Sequence, residues 1–200
     1  MKIYIILSQT NTNFGRIIRF LTHYPYNHVS ISTDKTKGPL YSFARYHYNA
    51  PFVGGFVEES FLRYLFYGQD VKMRIYSIDV SETQFKKFES IIKHYSQKNS
   101  NYIYNTFDAL GIHIVPSEHK QTCISFIFSI LKDLQILSNN KASKTIKAIS
   151  EQLEQYPYID TTLSPLDHNA YTWGNDNYCK KVPFKVVIKD TIKHFQRLLS

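Results

Sequence analysis

The chain has 200 residues and a mass of 23.5 kDa, with 43% hydrophobic and 20% charged residues. That balance excludes a disordered chain, which needs fewer apolar residues and more uncompensated charge, and the length suits one domain better than two at ~150 residues each. The formal net charge of +8, from 24 Lys and Arg against 16 Asp and Glu, favours anionic partners.

The lysines are scattered rather than run together, so a solvated basic surface is the first reading and a nucleic-acid footprint is disfavoured. Gly and Pro number seven each, which excludes collagen-like or linker-dominated architecture. Two cysteines, Cys123 and Cys179, make no disulfide framework and do not by themselves ligate a structural zinc. Met1 to Thr10 carries one basic residue and a short apolar run, whereas a secretory signal needs a longer apolar region and a small-residue cleavage site. The longest other apolar stretch, Ile124 to Leu131, is interrupted by serines and falls well below the ~20 residues of a membrane span. A reduced, soluble, cytoplasmic protein is expected.

In chain order, Lys2 to Ser8 is rich in Ile and Tyr and reads as a buried strand. Phe14, Ile17, Ile18 and Leu21 recur at helical spacing, and Tyr24-Pro25 ends that helix. His28 to Thr33 alternates, with Val29 and Ile31 on one face and His28, Ser30 and Ser32 on the other, the pattern of a half-buried strand. Leu40 to Tyr46 is the next strand. Gly54-Gly55 reads as a turn, Pro51 to Val57 as a loop that borders a groove or packs on its own hydrophobes, and Glu58 to Phe66 as a short helix. Val71 to Ile78 is another strand. Ser81 and Gln84 form a capping box before a helix whose face is Phe85, Phe88, Ile91, Ile92 and Tyr95, stopped at Asn99 to Asn101. Gly111 to Pro116 is an apolar stretch. Thr122 precedes a helix carrying Cys123, Phe126, Ile127, Ile130, Leu131 and Leu134. After a loop at Ser138 to Asn140 come a helix at Ala142 to Leu153, a mostly irregular segment from Tyr156 to Asn177 and a helix at Lys189 to Leu199. Early strands with interspersed helices, then a helical half, define an α+β chain.

Cys123 sits at the start of its helix, where free N–H groups and the positive end of the dipole favour a thiolate, the nucleophilic form. The alternative is a buried cysteine acting as a small hydrophobe. His28 opens a strand and is held rigidly enough to serve as the base for a cysteine on a facing helix. A metal site at His113, Glu118 and His119 fits no helical pair spacing, and Gly54-Gly55 lacks the Gly-Lys-Ser/Thr of a phosphate cradle.

These residues resemble a known family. The strand Lys2–Ser8, the helix Phe14-Gly15-Arg16-Ile17-Ile18-Arg19-Phe20 and the run Tyr24-Pro25-Tyr26-Asn27-His28-Val29-Ser30-Ile31 are similar in order and spacing to the permuted papain-like cysteine hydrolases of the NlpC-type peptidase superfamily, the branch that includes the lecithin:retinol acyltransferase-like enzymes. Tyr104 to Gly111 and Thr122 to Ile127 continue the resemblance, which covers roughly residues 1–135. It implies an antiparallel sheet packed against the Cys123 helix in a single domain, 1–200, with 138–200 a C-terminal addition. It further implies Cys123 as nucleophile, His28 as base and a third member on the strand after His28, where Ser42 falls nearest. The implied activity is that of a thiol amidase or peptidase using no cofactor or metal, with a peptide or amide substrate. Lipid acyl transfer or ester hydrolysis at an anionic membrane surface is the alternative within the fold, and a basic non-enzymatic binding module is the alternative outside it.

Overall fold

In the computed structural model, residues 1–98, 101–109, 119–137, 145–166 and 176–199 are described. The elements are β1 (Lys2–Ser8), α1 (Asn13–Thr22), β2 (His28–Ser32), β3 (Leu40–Arg45), β4 (Gly54–Glu59), α2 (Phe61–Leu65), β5 (Val71–Asp79) and α3 (Glu82–Gln97). They continue as β6 (Ile103–Tyr104), α4 (Thr106–Ala109), β7 (Lys120–Gln121), α5 (Cys123–Asp133), α6 (Ile146–Leu153), β8 (Tyr158–Leu163) and α7 (Phe184–Leu199). Six strands form one sheet in the order β4-β3-β2-β1-β5-β8, every neighbouring pair antiparallel, while β6 and β7 pair in parallel as a separate ribbon. The chain is α+β, as its pattern of strands and helices predicts.

The helical period of α5 explains how the sheet is covered. Phe126, Ile127, Ile130 and Leu131 fall on one stripe, and all four are fully buried. The stripe packs on β2 and β3, where Phe126 meets the rings of Phe43, Phe56 and Tyr95 at centroid distances of 5.3, 5.7 and 5.1 Å. Such tilted and edge-on aromatic pairs add to area burial. The opposite face is covered by Phe61, Tyr64 and Leu65 of α2, which pack with Ile6, Leu40 and Val71.

Several elements differ from their sequence reading. The strand β2 is buried on both faces rather than half-buried, because α2 lies over the side that carries Ser30. Its polar groups are satisfied there: Ser30 meets the Tyr64 hydroxyl at 3.3 Å, and the Ser32 hydroxyl donates to the carbonyls of Asp34 and Pro39. Gly54 and Gly55 do not form a turn but open β4, in register with Arg45 and Ala44. A Cβ at Gly54 would run into the Ala44 carbonyl, so the glycine permits close approach of the two strands. With β4 extended to Glu59, the helix read from Glu58 begins only at Phe61. The segment from Tyr156, read as irregular, contains the edge strand β8, held to β5 by the register Arg74↔Asp160 and by the bidentate Arg74–Asp160 pair, both bonds at 2.7 Å. The last helix starts at Phe184, five residues ahead of the expected Lys189. The Ser81–Gln84 capping box is present. The expected apolar stretch Gly111–Pro116, the loop Ser138–Asn140 and residues 142–144 of the helix expected at Ala142–Leu153 lie outside the described residues. Among the described residues no helix is long and apolar enough to cross a membrane.

Replacing Phe126 by Ala is expected to cost ~3–5 kcal/mol of unfolding free energy, the range for emptying a fully buried aromatic site. Phe20, 77% exposed on α1, is the control. Urea denaturation of Phe126→Ala and Phe20→Ala should separate them by several-fold, and equal midpoints would contradict the assigned core.

Candidate active site

Local hydrogen bonding fixes where the thiol sits. Thr122 caps α5: its hydroxyl accepts from the Ser125 amide at 3.1 Å, while the Ser125 hydroxyl accepts from the Thr122 amide at 2.8 Å. This is a capping box built from Thr and Ser. Just ahead of it, β7 pairs with β6 (Ile103↔Lys120, Tyr104↔Gln121), and the Asn105 amide donates to the Gln121 carbonyl at 2.8 Å. Cys123 is therefore the first residue of a capped helix, tied in front to a short parallel ribbon. The amides of Cys123 and Ile124 belong to the helix-start donors that precede any intrahelical acceptor.

His28 is the first residue of β2, paired with Ser8 of β1. Its Nε2 lies 2.9 Å from Oε2 of Glu59, and the Cys123 sulfur is close enough to the same imidazole to favour its protonated form. With Nε2 taken by the carboxylate, Nδ1 is the ring nitrogen left for the sulfur. Three residues from β2, β4 and α5, far apart in the chain, thus form one line.

Glu59 is fully buried, and both its carboxylate oxygens are hydrogen-bonded. The Tyr64 hydroxyl donates to its Oε2 at 2.7 Å and Arg63 Nη1 donates to its Oε1 at 2.9 Å. Arg63, itself buried, is held on its other side by Asp176, which accepts from Nε at 3.1 Å and from Nη2 at 2.9 Å. Asp176 also accepts from the amides of Ser60 and Tyr178 at 2.9 Å each. The Arg63 guanidinium lies over the Tyr178 ring, 4.8 Å from its centroid. The row of charges is His28, Glu59, Arg63, Asp176, alternating in sign when His28 is protonated. Alternation with full hydrogen bonding is what makes buried charges tolerable.

The electrostatics follow. Burial disfavours a charged His28, but the Glu59 carboxylate and the Cys123 sulfur outweigh it and raise the imidazole from 6.5 to about 10. Burial likewise opposes the charged form of Glu59, and attraction to His28 and Arg63 wins, lowering it from 4.5 to about 2. A protonated imidazole against a carboxylate is the resting state at neutral pH.

The site unites two of the residues the sequence pointed to, Cys123 and His28, and corrects the third. The hydroxyl of Ser42 donates to the Val29 carbonyl at 2.9 Å, inside the sheet, and the residue on the imidazole is Glu59, one strand further out. Ser42 is spent on backbone satisfaction. Glu59 escaped sequence reading because Glu58 to Phe66 was assigned to a helix, in which Glu59 and Arg63 are an ordinary i,i+4 surface pair. The run Phe56-Val57-Glu58-Glu59 carries no polar–apolar alternation to mark it as a strand.

Cys179 is half-buried, and burial together with Asp176 raises its thiol above the ordinary value. His113 and Glu118 lie outside the described residues, and His119 packs against the Tyr102 ring at 5.6 Å. No group of three or more His, Cys, Asp or Glu suited to a metal occurs among the described residues. Two cavities flank the Cys–His pair. One of about 220 Å³ is lined by Cys123, Tyr24, Tyr26, Leu21 and Ile146, the other, of about 60 Å³, by His28, Glu59, Arg45, Phe14 and Tyr178. Ile18, Asn27 and Tyr104 border both. Comparison with protein-family models, with curated proteins and with solved structures finds no match.

The signs of the two shifts set a pH window. Glu59 contributes stability that is present above 4.5 and lost as the pH falls toward about 2. His28 contributes stability that is present below 6.5 and lost as the pH rises through about 10. The penalty of Glu59→Gln should therefore be greatest between those two ordinary values, about 3–5 kcal/mol for breaking a buried pair, and should shrink toward both extremes. Urea midpoints of the two proteins measured from pH 4 to pH 10 check this; a pH-independent difference would contradict the ion pair.

Proposed function

We propose that the chain is a cysteine hydrolase that cleaves an amide bond through a thioester acyl-enzyme, on a papain-like sheet-and-helix scaffold. The observation that carries the reading is a buried imidazole held on one side by a buried carboxylate at 2.9 Å and acted on by the Cys123 sulfur, which favours its protonated form. A structural cysteine has no use for an oriented base, whereas a nucleophile needs one within hydrogen-bond reach.

In the proposed cycle the sulfur attacks the carbonyl carbon and a C–S bond forms. The proton gained by His28 passes to the amide nitrogen, the C–N bond breaks and the amine leaves. Water then attacks the thioester carbonyl, giving a proton to His28. The C–S bond breaks, the acid departs and the sulfur leaves as the thiolate, with the proton from water kept on His28 as in the resting state. The net change is amide plus water to acid plus amine. The amide of Cys123 at the helix start is the natural donor to the oxyanion, because its N–H points along the helix axis toward the developing charge. Glu59 holds the ring orientation and stabilises the imidazolium through each step, as the carboxylate does in other nucleophile–base–acid triads.

A second reading, ester hydrolysis or acyl transfer on a lipid, draws on the exposed apolar residues Ile17, Phe20 and Leu21 of α1, the helix that roofs the cavity at Cys123. Co-sedimentation with anionic vesicles and release of fatty acid from them would favour it.

Iodoacetamide at pH 7 should alkylate Cys123 at least tenfold faster than Cys179, read by mass spectrometry of the two peptides. His28→Ala should bring Cys123 down to the rate of Cys179. Once a substrate is in hand, Cys123→Ser and His28→Ala should abolish turnover and Glu59→Gln should lower kcat by about 10²–10⁴-fold. Ser42→Ala should leave it near wild type. Equal, slow labelling of both cysteines would overturn the reading.

A further inference from the structure

The cavity beside His28 holds a cation that the catalytic line does not use. Arg45, the last residue of β3, lines that cavity with its guanidinium 5.7 Å from the centroid of the Phe14 ring and 5.6 Å from that of Tyr178. Of its five N–H donors one is engaged, Nη2 on the Tyr178 hydroxyl at 3.1 Å. Among the described residues no carboxylate pairs with it. The two acids nearby are already spoken for: Glu59 by His28 and Arg63, and Asp176 by Arg63 and two backbone amides. With each of those acids matched by a cation, Arg45 is the surplus positive charge of the cavity. The start of α1 adds to it, since Thr12, Phe14 and Gly15 line the same space and the first turn of α1 has no acidic residue to answer its dipole.

The chemistry of the pair decides what this cation faces. The acyl group must end on the Cys123 sulfur, and the cavity of about 220 Å³ on that side is walled largely by Tyr24, Tyr26, Leu21 and Ile146. The leaving group must take its proton from His28, so it departs on the side of the smaller cavity. We infer that the substrate carries an anionic group, a carboxylate or a phosphate, on its leaving portion, received by Arg45, and an apolar acyl portion held beside Cys123. A planar guanidinium beside two rings and bonded to the Tyr178 hydroxyl loses little freedom on binding and presents a fork suited to either anion. This inference rests on the proposed Cys–His reading and specifies its substrate class.

The test uses three reagents of one shape: N-iodoacetylglycine, its phosphonate analogue N-iodoacetyl-aminomethylphosphonate and the neutral N-iodoacetylglycinamide. The rate for each charged reagent at Cys123, divided by that for the neutral one, is compared with the same ratio for a free thiol in solution. The wild-type ratio should exceed the free-thiol ratio by about tenfold for the better-fitting anion, the worth of one charge-assisted hydrogen bond. Whichever of the two is preferred identifies the anion. Arg45→Gln should drop the ratio to the free-thiol value, and Arg45→Lys, which keeps the charge without the fork, should retain part of it. Inorganic phosphate added to the wild-type protein should slow the charged reagents more than the neutral one, a readout independent of whether the variants fold. A wild-type ratio equal to that of the free thiol, a ratio unmoved by Arg45→Gln, or equal slowing by phosphate would overturn the inference. Uniformly slow labelling of Cys123 by all three reagents would instead strike the Cys–His reading itself.

Discussion

The contact on which the site depends is the buried pair between His28 and Glu59. Neither charge is stable alone in a sheet interior, and each shifts the other toward its ionised form. Arg63 and Asp176 extend the pairing until it reaches backbone amides, which end it without a further charge. The polar residues Ser30 and Tyr64 fill the remaining hydrogen-bond positions. What looks like a cluster of costly groups is a closed circuit, and closure is what holds the imidazole in one orientation beside the sulfur.

Much of this could be read from residues in order. The helical stripe of α5, the Ser81–Gln84 cap, the strand at His28 and the position of Cys123 at a helix start are local patterns, and local patterns survive folding. The failures share one cause. Glu59, Asp176 and β8 acquire their roles only from partners far along the chain: Glu59 from His28, Asp176 from Arg63 more than a hundred positions away, and β8 from β5. A run such as Tyr158 to Leu163 has five exposed residues out of six, so it lacks the alternation that marks a half-buried strand, and only its register against β5 makes it one. Ser42 illustrates the converse error. Its sequence position beside the His strand was suitable, but its hydroxyl was needed by the Val29 carbonyl.

The region after residue 138, which the sequence left without a role, finishes the architecture at three points. The strand β8 extends the sheet, Asp176 clamps Arg63, and His194 of α7 meets, at 2.9 Å, the carbonyl of Tyr104, a residue that borders both cavities. Residues after 138 thus reach the His28–Glu59 pair through Arg63, which Asp176 holds.

The spread of these contributors has a bearing on biosynthesis. Synthesis delivers the imidazole first, the thiol later and the carboxylate that steadies Arg63 after both. Until Asp176 emerges, the guanidinium beside Glu59 is without its second anchor, and the nascent polypeptide carries its sulfur without the finished apparatus around it. Arg63 therefore gains its second carboxylate, and the buried row of charges its last member, only once the chain has passed Asp176.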